Sequence, residues 1–135
     1  MIKNQTKHGL LYYVSTYKEL DNLLAYVSER QTDLEAIREY IANEYDTVEL
    51  AKSEGREIDY DTIPQCIKEG KEVLKLQPFP WEWIRSSSNR YPFNKKYPWG
   101  VQPTSEEYQE WIKWLLDTLE EEAIKAGKYK HKRTE

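Results

Sequence analysis

The residues best suited to binding another molecule lie in one segment of this chain, residues 78–103. Trp, Tyr and Arg are the side chains that most often dominate the binding energy of protein interfaces. We therefore expect the rings of this segment to act as anchors and its guanidinium groups to make flanking contacts with a partner. The predicted partner-binding residues are Trp81, Trp83, Arg85, Arg90, Tyr91, Tyr97 and Trp99.

Segment 78–103 also differs from the rest of the chain in composition and charge. It contains five of the six prolines, three of the five tryptophans and both phenylalanines. Its four cations outweigh Glu82, which gives the segment a net charge of +3 in a chain of net charge −4. Long ordered connectors tend to carry function. Both the composition and the length of segment 78–103 therefore support its assignment as the partner-binding segment.

Three interpretations of these aromatic residues stay open. The rings cover the core of the domain while the cations point to water, or they form a docking surface for a protein. In the third, they stack on the bases of single-stranded nucleic acid or a nucleotide-like ligand while the cations hold phosphates. Residues 19–72 carry a net charge of −9, which would repel an extended polyanion within about 8 Å. We therefore expect a protein partner, with nucleic-acid or nucleotide binding as the alternative.

The acidic half of the chain suggests one class of protein partner. Rows of carboxylates on rigid helices can imitate phosphates, so residues 19–72 could occupy the basic groove of a nucleic-acid-processing protein. Small accessory and inhibitor proteins of this kind are often encoded by mobile elements. The sequence thus predicts an interaction protein of the accessory or inhibitor type.

Few other residues have the types and spacing that catalysis requires. His8 and His131 lie near the two ends of the chain, away from any nucleophile pattern. The five glycines are scattered rather than grouped in a phosphate-binding loop. Cys66 falls on an apolar helix face, which is typical of a small buried side chain. These patterns indicate a non-enzymatic protein without a cofactor.

Acidic residues alternate at 57–61, as they do at the start of a calcium-binding loop. Such a loop would need a glutamate at position 68 or 70, where the sequence has Lys68 and Gly70. The acids instead suit the positive start of the helix that follows. A small enzyme that assembles carboxylates and a divalent ion from separate helices is retained as a second alternative.

Four matches to the capping box predict the elements that position segment 78–103. In this motif a Thr hydroxyl and a Glu or Gln side chain bond free amide groups at the start of a helix. Each match opens an apolar period of three and four residues, which predicts helices over about 17–30, 33–54, 63–76 and 105–126. The boxes begin at Thr16, Thr32, Thr62 and Thr104.

Together these helices predict a mainly α fold, a bundle of about four helices with a long Pro/aromatic connector. The second helix is expected to break near residues 46–47. A minor β element is the remaining expectation. Residues 9–15 form either a short strand or the buried entry to the first helix, and 81–85 could pair with 90–93 as a hairpin.

Length and composition set the broad class. The 135 residues are expected to form a single domain over 1–135, with flexible tails at 1–8 and 128–135. No apolar run approaches the length of about 18 residues that a membrane span needs. A single cysteine allows no intrachain disulfide and fits a reducing compartment, so we expect a cytoplasmic protein.

Overall fold

A computed structural model describes residues 8–31, 33–98, 100–101 and 103–128, with the backbone alone at Lys95. The fold is mainly α, as predicted, and these residues include no strand. The helices are α1 (Leu10–Thr16), α2 (Lys18–Glu29), α3 (Leu34–Glu44), α4 (Val48–Ser53), α5 (Thr62–Leu74), α6 (Trp81–Ser87), α7 (Phe93–Lys96) and α8 (Ser105–Lys125).

The long helices agree with the sequence pattern. The helices predicted over 17–30, 63–76 and 105–126 coincide with α2, α5 and α8 to within two residues at each end. The helix predicted over 33–54 is divided into α3 and α4 close to the expected break. The arrangement as a four-helix bundle with a plain connector is not confirmed, because segment 78–103 contains α6 and α7. The predicted tails lie outside the described residues, apart from His8 and Lys128.

The expected β element is wrong. Residues 10–16 form α1, which supports the alternative of a helical entry, and residues 81–85 of the predicted hairpin lie in α6. A lone strand leaves its backbone groups without partners, whereas a helix bonds them within the segment. Tyr13 and Tyr17, four positions apart, are both buried, which is the spacing of one helix face.

Helix α5 packs against both α2 and α8. Its buried Ile63, Cys66, Ile67, Gly70 and Val73 recur at the three- and four-residue intervals of an amphipathic helix. The Cys66 thiol donates a hydrogen bond of 3.7 Å to the Glu19 carbonyl of α2. Burial raises the pKa of this thiol well above its usual range.

Capping at α8 follows the prediction. The Glu107 N–H donates to the Thr104 hydroxyl at 3.1 Å, and the Thr104 N–H donates to the Glu107 carboxylate at 2.8 Å. The predicted box at Thr32 begins at a residue outside the described part of the chain. In α3 the Asp33 carboxylate accepts the Ala36 N–H at 3.0 Å.

Thr62 has a different role from the predicted cap. Its hydroxyl accepts the Asp46 N–H at 2.7 Å, and the neighbouring Asp61 carboxylate accepts the Val48 N–H at 2.8 Å. Residues at the start of α5 therefore satisfy backbone groups in the connection from α3 to α4 and at the first residue of α4. This contact gives the break at 45–47 a physical cause, since the amides bond to side chains rather than to a continued helix.

The start of α2 is capped from another helix. Thr16 belongs to α1, and the N-cap residue Tyr17 has no capping side chain. Instead the Glu69 carboxylate of α5 accepts the N–H groups of Glu19 and Leu20 at 2.9 and 3.0 Å. Glu69 thereby satisfies two amides that would otherwise lack partners and places its negative charge at the positive end of α2.

The Glu69 and Glu19 carboxylates each accept a further side-chain hydrogen bond. The Gln65 amide donates to Glu69 at 2.9 Å, and the Tyr60 hydroxyl donates to Glu19 at 2.7 Å. The hydrogen bond to Glu19 raises the pKa of Tyr60 to about 12. Burial raises the pKa of Glu69, although its hydrogen bonds act in the opposite direction.

Replacement of Gly70 by alanine is expected to destabilise the protein by about 1–3 kcal/mol. A Cβ at Gly70 would lie 2.3 Å from a methyl group of Leu116 in α8, so either the buried Leu116 side chain or the two helices would have to shift. Chemical unfolding measures the loss. Gly9→Ala is the control, because a Cβ there meets no atom within 4 Å, and equal stability of the two variants would contradict the close approach of α5 and α8.

Glu69→Ala is expected to cost about 1–3 kcal/mol, because the two α2 amides stay buried without an acceptor. Glu69→Gln retains an acceptor oxygen and should lose less. Since the folded-state pKa of Glu69 is raised, the wild type should lose stability relative to Glu69→Gln as the pH rises from acidic to neutral. Urea unfolding across that range tests the sign, with exposed Glu121→Gln as the control, and an opposite slope would contradict it.

Candidate partner-binding site

Trp83 of α6 is part of the core. Its side chain is 1% exposed, and its ring stacks on Tyr13 of α1 with centroids 5.5 Å apart. The indole Nε1–H donates to the Asp21 carboxylate of α2 at 2.9 Å, and Ser87 donates to the same oxygen. Trp83 therefore joins α6 to α1 and α2, and a partner has no access to its ring.

Tyr91 is also largely enclosed. It is 9% exposed and contacts Trp111 of α8 edge to face, with ring centroids 6.5 Å apart. The interpretation of the aromatic residues as a cover for the core therefore fits Trp83 and Tyr91. Trp99, another predicted anchor, lies outside the described residues.

The other predicted site residues are half-buried, namely Trp81, Arg85, Arg90 and Tyr97. Trp81 stacks on Tyr108 of α8 with ring centroids 6.5 Å apart. We call these four residues the cation–aromatic face. Each has part of its side chain packed on the core and part available to solvent, an arrangement typical of interface anchors.

The turn after α6 positions Arg90. Asn89 and Arg90 have φ angles of 52° and 64°, in the left-handed region that residues other than glycine seldom adopt. The Arg90 N–H donates to the Arg85 carbonyl at 2.8 Å, which closes the turn. Consecutive left-handed residues cost free energy and persist where the surrounding structure holds them. The turn thus brings the backbone of Arg90 back to that of Arg85.

Tyr108 of α8 lies within range of the charges of Arg85 and Arg90. Its side chain is fully buried and contacts Phe93 of α7 edge to face at 5.0 Å. Burial raises the pKa of the Tyr108 hydroxyl, while the nearby charges of Arg85 and Arg90 act to lower it. In the described part of the chain, the Tyr108 hydroxyl and Arg85 Nε are buried without a hydrogen-bond partner. We call Arg85, Arg90 and Tyr108 the Arg–Tyr cluster.

Tyr97 is anchored at the start of α8. Its hydroxyl donates to the Glu107 carboxylate, which also accepts the Thr104 N–H and lies 3.7 Å from the Lys96 ammonium. The hydrogen bond from Tyr97 is the main reason that the pKa of Glu107 is lowered. These contacts hold α7 against α8, and they fix one edge of the cation–aromatic face.

An open cleft of about 480 Å³ borders Trp81. Pro78, Phe79 and Trp81 line one side, and Pro103 with residues 104–106 lines the other. The walls are mainly proline and aromatic side chains, which form rigid surfaces because they have few rotatable bonds. The Trp81 cleft therefore extends the cation–aromatic face toward the start of α8.

Two exposed or functional features were not expected from the sequence. Tyr108 falls on the apolar face of α8, and spacing alone does not show that its hydroxyl is buried near two arginine charges. Trp114 falls outside the apolar stripe of α8. Its side chain is 46% exposed, and its position off the stripe was the signal that could have predicted this.

Searches for other kinds of site gave negative findings. No helix in the described ranges is long and apolar enough to cross a membrane. Among the same residues, no three His, Cys, Asp or Glu side chains are grouped so that they could hold a metal ion. Comparison with family models, curated proteins and solved structures found no match to this chain.

Replacement of each tryptophan in α6 by alanine should lower the free energy of unfolding by different amounts, because Trp83 is buried and Trp81 is half-buried. Trp83→Ala is expected to cost about 3–5 kcal/mol, because it leaves a large cavity. Trp81→Ala should cost about 1–2 kcal/mol, because less apolar area is lost from a half-buried ring. The free energy of unfolding measures both. Equal losses would contradict the difference in burial.

Proposed function

We propose that this chain is a non-enzymatic binding protein that docks an acidic segment of a protein partner on the cation–aromatic face. The observation that carries the proposal is the buried Arg85 Nε, which meets no acceptor among the described residues. An arginine held in this way has lost water without gaining a partner. A carboxylate or other anion from a docked protein would supply the missing acceptor.

The composition of the face supports an interface rather than a solvated surface. Trp81 and Tyr97 are half-buried and fixed by contacts with α8. Rings that are already fixed lose little conformational freedom on binding. The Trp81 cleft adds apolar walls that could receive a side chain of the partner.

Charge supports an acidic segment as the occupant. Segment 78–103 has a net charge of +3, whereas residues 19–72 have a net charge of −9. Complementary charge would attract an acidic segment to the face. The acidic helices would repel a long polyanion outside that face, so a short acidic segment suits the chain better than extended nucleic acid does.

Capture from a lysate of the cells that express the protein tests this proposal. Wild type and Arg30→Ala should retain the same partner, because Arg30 follows the end of α2 and pairs with Glu39 of α3 at 2.7 Å. Trp81→Ala and Arg85→Ala should reduce recovery about tenfold or more, as expected for interface anchors. Circular dichroism of each variant verifies that it is folded.

Amide hydrogen exchange of the captured complex locates the interface. Binding at the cation–aromatic face should slow exchange within 81–97. Equal recovery of every protein by all four chains, or protection confined to other helices, would contradict the proposal. Binding of a single-stranded oligonucleotide that both anchor substitutions abolish would favour the nucleic-acid alternative instead.

A further inference from the structure

We infer that the Arg–Tyr cluster is a binding site for a phosphate monoester. The inference deepens the proposed function, on which it rests for the source of the ligand: a phosphorylated side chain within the acidic segment of the partner. The cluster draws its three members from α6, the turn that follows it, and α8. Each member supplies hydrogen-bond donors, and two of them supply positive charge.

The first argument is the cost of leaving the Tyr108 hydroxyl buried and unbonded. Tyr108 is 0% exposed, and its hydroxyl finds no acceptor in the part of the chain that the structure describes. Buried polar groups nearly always have a partner, and exceptions point to a bound water or ion. Since Arg85 Nε has the same deficiency, two donors from different helices would be satisfied together by one acceptor group.

The second argument is the charge beside that hydroxyl. Arg85 and Arg90 are both close enough for their charges to act on the Tyr108 hydroxyl. None of the ion pairs between described residues includes Arg85. A phosphate monoester, which carries about −1.5 to −2 at neutral pH, would be attracted by these charges more strongly than a single carboxylate would.

The third argument is the number of donor groups. A phosphate monoester has three terminal oxygens that accept hydrogen bonds, and a carboxylate has two. Two guanidinium forks and one phenol give three donor groups from three parts of the backbone. Arg85 lies one helical turn after Trp81, whose ring stacks on Tyr108, so an anion bound by Arg85 would lie beside the phenol.

Thermal unfolding with added inorganic phosphate tests this inference on the whole chain. The midpoint of the wild type should rise with phosphate concentration, compared with sodium chloride at the same ionic strength. Sulfate should act similarly, because it is also a tetrahedral dianion, and acetate should have a much smaller effect. Equal effects of acetate and phosphate, or no effect of phosphate, would overturn the inference.

Tyr108→Phe provides the decisive variant, because it keeps the ring packing and removes only the hydroxyl. Without phosphate it should be as stable as the wild type or more stable, since the buried unbonded group is gone. Its phosphate affinity should fall about tenfold or more, as expected for a hydrogen bond to a charged group. Lower stability without phosphate would show that the hydroxyl already has a partner, and unchanged affinity would exclude its contact with the anion. Either result overturns the inference.

Arg85→Lys and Arg30→Lys form a matched pair of charge-conserving variants. Lysine keeps the charge but lacks the planar fork that binds two oxygens, so Arg85→Lys should weaken phosphate binding about tenfold. Arg30→Lys should leave it unchanged. If phosphate does not bind but partner capture still requires Arg85, the site assignment fails and the proposed function stands. If phosphate binds but Arg85→Lys does not change capture of the partner, the cluster binds a free phosphate-bearing ligand. The proposed function then fails.

Discussion

The carboxylate of Glu69 is the contact on which the arrangement of the long helices depends. It accepts two N–H groups at the start of α2, so α5 and α2 cannot separate without breaking both hydrogen bonds. The next residue, Gly70, has no side chain, and Leu116 of α8 fills the space where a Cβ would lie. Two successive positions of α5 thus fix a helix on each side, one by hydrogen bonds and the other by close packing. The shorter helices then pack on this frame, with Trp83 of α6 bonded to Asp21 of α2.

Local sequence periodicity was sufficient for the long helices because each buries one stripe of apolar residues. The helix starts were less predictable. The box at Thr104 operates as its spacing suggests, whereas the α2 cap comes from Glu69, about fifty positions away along the chain. No local pattern reveals a cap of this kind. The predicted β element failed for a related reason: the apolar run at 9–15 has strand-like composition, but it lies where a helix can pack Tyr13 against Trp83. Tertiary packing determined its conformation.

The candidate site was predictable in position but not in detail. Composition alone identified 78–103 as the segment in which aromatic rings and cations meet. Sequence spacing could not show that Trp83 faces inward and Trp81 remains half-buried, because that difference depends on how α6 rotates against α1, α2 and α8. The position of Tyr108 could not be predicted for the same reason, since its ring belongs to the core and its hydroxyl lies within range of the charges of Arg85 and Arg90. A site of this kind combines a buried group from one helix with surface groups from another.

The single thiol of the described chain gives the molecule a chemical reporter of its own opening. Cys66 is fully buried, and its S–H donates to the Glu19 carbonyl of α2, which lies between the two amides that Glu69 accepts. An alkylating reagent needs a solvent-exposed thiolate, so it can react only in molecules where the packing around Cys66 has opened. The alkylation rate under native conditions therefore measures how often the core around α5 opens, without denaturant.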